Sequence, residues 1–206
     1  MRGSCNNFPR SADKSLVIAT SNTGKFFEIR SSFGQLGSRI RLLSLADFDD
    51  VPEAPETGAT FTENALQKAQ FYYDRLRQSV LAEDSGLVVP ALDGFPGIHS
   101  ARVASDDLSR IRLILEKLHP GTDRSAYYVC SMVFVHEGKV FAVEGKCSGT
   151  IAEAPDGDQG FGYDPVFRPE GSTKTFGRMT VKEKSQYSHR ARAVHLMIPH
   201  ILAELK

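Results

Sequence analysis

Ser15-Leu16-Val17-Ile18-Ala19-Thr20, followed by Ser21-Asn22-Thr23-Gly24-Lys25, decides the fold class. The first six residues form a short, β-branched apolar run, the mark of a buried strand. The next five are polar and carry one glycine. From Phe26 the apolar residues Phe26, Ile29, Phe33 and Leu36 fall at helical spacing, and Gly37 suits a helix stop. Strand, short polar loop and helix in that order begin an α/β chain. The free N–H groups at such a helix start can receive phosphate oxygens, helped by the helix dipole. Thr20, Asn22 and Lys25 add a hydroxyl, an amide and a cation, although the spacing is not that of a Walker loop. An ordinary capped helix with a surface lysine is the plainer alternative.

Outward from this segment the same alternation continues. Ile40 to Leu43 reads as a second strand, and Val51 to Gly58, with Pro52 and Pro55, as a loop. Thr60 to Glu63 has capping-box spacing, ahead of a stripe of Ala65, Leu66, Ala69, Tyr72, Tyr73 and Leu76. Ser79 to Ala82 reads as a strand running into Glu83-Asp84-Ser85-Gly86. Asp106 or Asp107 caps a helix whose inward face is Leu108, Ile111, Leu115 and Leu118. Ser125 to Cys147 reads as a hairpin with its tip in His136-Glu137-Gly138-Lys139. A two-residue turn with Gly138 first sets Cys130 opposite Cys147, and a four-residue loop does not. Thr180 to Glu183 is another capping-box candidate, and Pro199 should kink or divide the last helix. Early αβ alternation with antiparallel strands in the middle gives a mixed α/β sheet as the expectation.

Composition bounds the function. The chain has 206 residues, 41% hydrophobic and 24% charged, a globular balance. Lys plus Arg is 25 and Asp plus Glu is 25, which argues against nucleic-acid binding through a broad basic face. The apolar runs, such as Leu87 to Leu92, are too short to span a bilayer. Cys5, Cys130 and Cys147 are odd in number and widely spaced, so a reducing, cytoplasmic setting is the default. Residues 1–14 read as a ragged N-terminal extension with no signal-peptide core, and residues 15–206 as a single domain.

Four further polar sets carry candidate chemistry. Glu56-Thr57-Gly58 precedes Glu63 and Lys68, residues that elsewhere serve as dipole partners and solvated charges. Glu83 and Asp84 are adjacent carboxylates; in extended chain they point to opposite sides, so one acts directly and the other supports it. A carboxylate at a strand end can hold Mg2+ or act as general base on a water. Phe161-Gly162-Tyr163-Asp164-Pro165 offers aromatic faces for stacking and a carboxylate acceptor. Lys184, Ser188, His189 and Arg190 form a compact polar set, in which Arg190 can present a fork of donors to a carbonyl or phosphate.

Taken in order, these sets resemble the inosine triphosphate pyrophosphatases, the non-canonical purine nucleoside triphosphate pyrophosphatases. The resemblance runs from about Leu16 to about Ala193. It rests on Thr20, Asn22 and Lys25 followed by Glu28; on Glu56 to Phe61 with Glu63-Asn64-Ala65 and Lys68-Ala69; and on Asp84-Ser85-Gly86-Leu87. It rests also on Gly94-Phe95-Pro96-Gly97 with Ser100-Ala101-Arg102, on Phe161 to Pro165, and on Lys184 with Ser188-His189-Arg190. Two departures are Glu83, where many bacterial members have aspartate, and Val103, where many have an aromatic residue.

The resemblance implies an elongated central sheet with flanking helices forming two lobes around a nucleotide-binding cleft, and a homodimer. It implies Mg2+-dependent attack of water on the α-phosphorus of ITP, dITP or XTP, giving the monophosphate and pyrophosphate and cleansing the nucleotide pool. Thr20, Ser21, Asn22, Thr23, Gly24, Lys25 and Lys68 would cradle the triphosphate. Glu56 and Asp84 would bind Mg2+, with Asp84 also the candidate base, two duties in tension for one carboxylate. Ser85, Phe161, Gly162, Tyr163, Asp164, Lys184, His189 and Arg190 would complete the substrate site around the base. The alternatives are a pyrophosphatase preferring pyrimidine or modified nucleotides, a phosphatase releasing terminal phosphate, and a nucleotide-binding module without turnover.

Overall fold

A computed structural model describes residues 14–34 and 39–205. Six strands form one sheet in the order β2-β1-β3-β4-β5-β6. They are β1 (Ser15–Ala19), β2 (Arg41–Ser44), β3 (Val80–Val88), β4 (Ser125–His136), β5 (Lys139–Ile151) and β6 (Phe167–Pro169). β1 runs parallel to β2 and to β3, and every later pairing is antiparallel. The helices are α1 (Thr23–Phe33), α2 (Phe61–Leu76), α3 (Asp107–Lys117), α4 (Val181–Ser185) and α5 (His189–Glu204). The mixed α/β sheet expected from the sequence is therefore present.

Alternation along β3 divides the molecule. Leu81, Glu83 and Ser85 face one side, where Leu81 joins Ile18, Ile29, Met132, Val194 and Met197 in a core under α1 and α5. Val80, Ala82 and Asp84 face the other, where Ala82 packs with Ala65, Ala69 and Tyr72 of α2. A third core, around Leu87, Ile114, Phe167 and Phe176, lies at the far end of the sheet beside α3. β5 and α5 come close at Gly145, where a Cβ would collide with backbone of His189 and Ala193.

Several local expectations are corrected. α1 ends at Phe33 with Gly34 as its cap at φ +51, before the expected stop, and Leu36 and Gly37 lie outside the described residues. The extension over residues 1–14 also lies outside them, apart from Lys14. Leu66 and Leu108 point outward, at 40% and 71% exposure. The α2 stripe is built on Asn64, Ala65, Ala69 and Tyr72, and Leu108 lines an open groove with Ile111, Leu115 and Pro155. The hairpin turn is Glu137-Gly138, with positive φ at both residues, so Cys130 faces Gly145 and Cys147 faces Tyr128. Both thiols are free and buried. α5 is one helix despite Pro199.

Candidate active site

β1 stops at Ala19, paired with Ala82, while β3 continues to Val88 paired, among the strands, with β4 alone. The carboxylates of Glu83 and Asp84 therefore lie mid-strand rather than at a strand end. The end that matters is that of β1, because its departure opens the space beside them. Adjacent strand positions send the two carboxylates to opposite faces, as the alternation required.

On the α2 side, Asp84 accepts from Asn64 Nδ2 at 3.0 Å and lies 3.6 Å from Lys68 Nζ. Lys68 also donates to Glu56 Oε1 at 2.6 Å, and Arg102 pairs with the other oxygen of Glu56. Burial raises the Asp84 carboxyl above its usual range; Lys68 opposes this and the Glu83 charge adds to it. Burial also pushes Glu56 upward, but Lys68 and Arg102 outweigh it and hold Glu56 low. Thr60 caps α2 by accepting from Glu63 N, and Gly58 N donates to Asn64, which fixes the loop carrying Glu56.

The two carboxylates share one ammonium, so Lys68 stands where a dication could be held. Hard oxygen donors that are few in number suit Mg2+, which keeps waters and takes phosphate oxygens. Among the described residues no set of three or more His, Cys, Asp or Glu side chains gathers as a cage.

At the α1 start, Asn22 Oδ1 accepts from Lys25 N at 3.0 Å, and Thr20 Oγ1 accepts from Asn22 N at 3.2 Å. Lys25 Nζ lies 2.7 Å from Glu83 Oε1, but that oxygen has no aligned donor. Burial works to raise Glu83, yet Lys25, Arg190 and Lys68 together hold it well below the usual carboxylate range. Thr20, Ser21, Asn22, Lys25, Glu56 and Lys68 line one cavity. Thr23 is exposed and outside that lining, and Gly24 lies against the Phe161 ring.

A second cavity of about 630 Å³, open mouth included, shares Asn22, Lys25 and Ala101 with the first. Ser85, Phe161, Gly162, Tyr163, Asp164, Lys184, His189 and Arg190 all line it. Lys184 Nζ bridges Glu28 Oε1 at 2.6 Å and Asp164 Oδ2 at 2.5 Å. Arg190 pairs with Glu28 and donates to Ser85 Oγ at 2.9 Å. Burial raises Asp164; Lys184 counters this and Glu28 reinforces it. Glu28 is pushed up by burial but held low by Arg190 and Lys184. Lys184 also lies 4.9 Å from the Phe161 ring centroid, within cation–π range. His189 stacks on Tyr128 at 4.6 Å and 7°, and both its ring nitrogens are buried without a partner. Burial first, then the Arg190 and Lys184 charges, hold its imidazole well below its ordinary pKa, hence neutral.

Sequence reasoning treats Glu28, Asn64 and Arg102 only as motif members, takes Asp107 only as a candidate helix cap, and passes over Tyr128. Asp107 accepts from Gly162 N at 2.7 Å and pairs with Arg110 at 2.6 Å, pinning the aromatic loop. Nothing local marks Tyr128, because its partner His189 is 61 positions away along the chain.

Fold and site together define a class: mixed-sheet α/β proteins that open two adjoining charged cavities where a parallel strand pair ends. Residues 16–200 match the Ham1 family, and the chain belongs to that family. It is 46% identical over 187 residues to a dITP/XTP pyrophosphatase of Geobacillus kaustophilus, covering 88% of this chain and 91% of that protein. Its fold matches the structure of a HAM1 protein from Coxiella burnetii with a TM-score of 0.82 at 32% identity, covering 92% and 98% of the two chains. It also matches a nucleoside-triphosphatase / dITP/XTP pyrophosphatase from Mycobacterium abscessus with a TM-score of 0.71 at 38% identity, covering 91% and 99%.

Proposed function

We propose that this chain hydrolyses non-canonical purine nucleoside triphosphates (ITP, dITP and XTP) to the monophosphate and pyrophosphate. The observation that carries the reading is the convergence of Glu56 and Asp84 on Lys68, at 2.6 Å and 3.6 Å, beside the α1 start. That arrangement supports a site for a polyanion, a cation and an activated water. The names of the Geobacillus and Mycobacterium relatives support the reaction and its substrates.

In this reading the N–H groups at the α1 start, with Thr20, Asn22, Lys25 and Lys68, bind the phosphates. Glu56 and Asp84 hold Mg2+, which when bound supplies neutralisation of phosphate charge. Asp84 takes a proton from the attacking water. Its burial raises its proton affinity, which favours taking up the water's proton. The water oxygen bonds to the α-phosphorus, and the bond to the bridging oxygen breaks to release pyrophosphate.

The second cavity takes the base. Phe161 stacks on it, and Arg190 and His189 offer donors to keto oxygens. Of the carboxylates lining that cavity, Asp164 takes Lys184 and Phe161 N on Oδ2, and Asp107 takes Arg110 on Oδ1 and Gly162 N on Oδ2. A base edge presenting keto groups meets donors there. We extend the reading to two lobes flanking one cleft, a single domain over residues 15–206, and a homodimer in a reducing cytoplasm.

The test is a product assay with ITP and GTP, with Mg2+ and with chelator. Metal-dependent IMP and pyrophosphate from ITP, far faster than hydrolysis of GTP, is expected. IDP and phosphate would move the attack to the γ-phosphorus and remove Asp84 from its assigned place. Bound ITP without turnover would leave a binding module.

A further inference from the structure

One motif, Ser100-Ala101-Arg102, has no role in the reaction so far. Its loop is rigidly held. Ser100 Oγ accepts from Leu87 N at 3.0 Å and donates to Gly97 O at 2.6 Å, and Tyr163 Oη donates to Ser100 O at 2.9 Å. The Gly86 side of β3 leaves no room to spare, since a Cβ there would strike Ser100 and Gly97. The loop thus delivers Arg102 to a fixed point on the rim of the cavity that Lys25 and Lys68 line.

Arg102 is held there by little. One terminal nitrogen donates to Ile98 O at 3.1 Å and the other pairs with Glu56. Its side chain is 47% exposed, against 12% for Lys68, which is boxed between Glu56 and Asp84. Glu56 thus carries a cation on each oxygen: Lys68 on Oε1 and Arg102 on Oε2. A dication arriving at that carboxylate is repelled by both, and releasing one of them relieves the repulsion. The exposed guanidinium, whose one other anchor among the described residues is a carbonyl, is the one free to go. It already sits in a cavity whose remaining cations face the same space, and its planar fork fits two phosphate oxygens at once.

We propose that Arg102 is a catalytic residue held in reserve: it occupies Glu56 until a divalent cation displaces it, and then binds the β,γ end of the triphosphate. This rests on the proposed release of pyrophosphate. The two ligands of Glu56 compete, so removing Arg102 should make metal binding easier while making pyrophosphate binding harder. By linkage those two effects carry opposite signs, which an ion pair serving only stability does not produce.

The experiment uses the full chain and its Arg102→Ala and Arg102→Lys variants. Titration calorimetry measures Mn2+ binding without nucleotide, and pyrophosphate binding at saturating Mg2+. For Arg102→Ala, Mn2+ affinity should rise about 3-fold or more and pyrophosphate affinity fall about 10-fold, the order of one charge-assisted bidentate contact. Arg102→Lys should fall between wild type and alanine in both. Unchanged affinities for both probes would overturn the proposal. So would a parallel loss of both together with a lowered melting temperature. Wild-type chain that releases inorganic phosphate from ITP would instead refute the reaction; the Mn2+ titration would still decide whether Arg102 competes for Glu56.

Discussion

At Asp84 one carboxylate oxygen accepts from Asn64 while the group as a whole faces Lys68. Asp84→Asn preserves size and leaves an amide that can still bond to Asn64. We expect turnover to fall about 10²–10⁴-fold, the usual contribution of a positioned general base, with a melting temperature close to that of the parent. A variant with near-normal turnover would remove Asp84 from the chemistry. His189 supplies a second test. Its folded pKa is held well below the ordinary histidine value, so the unfolded chain takes up the proton first. Stability contributed by the neutral ring is full above about pH 6.5 and drains as pH falls below it, by up to about 1.4 kcal/mol per unit. Urea unfolding from about pH 7.5 to about pH 5.5 should therefore cost the parent more stability than His189→Gln, which has no proton to gain. Equal slopes would show that His189 titrates normally. The opposed facing of Glu83 and Asp84 could be read from strand alternation alone. The pairing of Glu56 with both Lys68 and Arg102 could not, because it joins three separate segments, 12 and 46 positions from Glu56 along the chain.

Elements were legible where their signals are local. Thr60 and Thr180 mark their helices by capping chemistry, and both accept from the residue three positions on. The end of α1 was not legible, since Gly34 and Gly37 are equally good stops by composition and only packing chooses. The sequence leaves the hairpin tip open within His136-Glu137-Gly138-Lys139, and the turn falls at Glu137-Gly138. A type I′ turn at Glu137-Gly138 needs positive φ at both positions, and glutamate carries no signal for that. Period puts Leu66 and Leu108 inward, but α2 turns Ala65, Ala69 and Tyr72 to the core and α3 turns Ile111 and Ile114. The docking of α5 on β5 has a sharper requirement. Gly145→Ala sets a methyl group into the backbone of His189 and Ala193, which has no rotamer to yield. We expect a loss of about 1–3 kcal/mol in urea unfolding, with reduced ITP turnover, since α5 carries His189 and Arg190. Unaltered stability would mean that the helix can shift freely.

At the scale of the molecule, sheet class was readable from the alternation of elements, but strand order was not. β1 lies between β2 and β3 because α1 leads to one side of it and the α2 connection carries the chain back across it, and no single segment encodes that exchange. The sheet joins three cores, one on each face and one at its far end. Two of them supply cavity walls directly: Tyr128 and Tyr163 from the far-end core, and Ala19 and Tyr72 from the core under α2.

β4 has a consequence of its own. It is paired with β3 from Tyr127 to Val135 and with β5 along its whole length. Its peptide hydrogens have no local escape to solvent, because exposing them means parting the sheet on either side. In deuterated buffer the amides of Met132 and Val133 should be the last to be replaced, at a rate set by complete unfolding. Amides of the 97–103 loop should be replaced far sooner. Those two clocks, read in one sample, separate a substitution that weakens the scaffold from one that alters only the chemistry it carries.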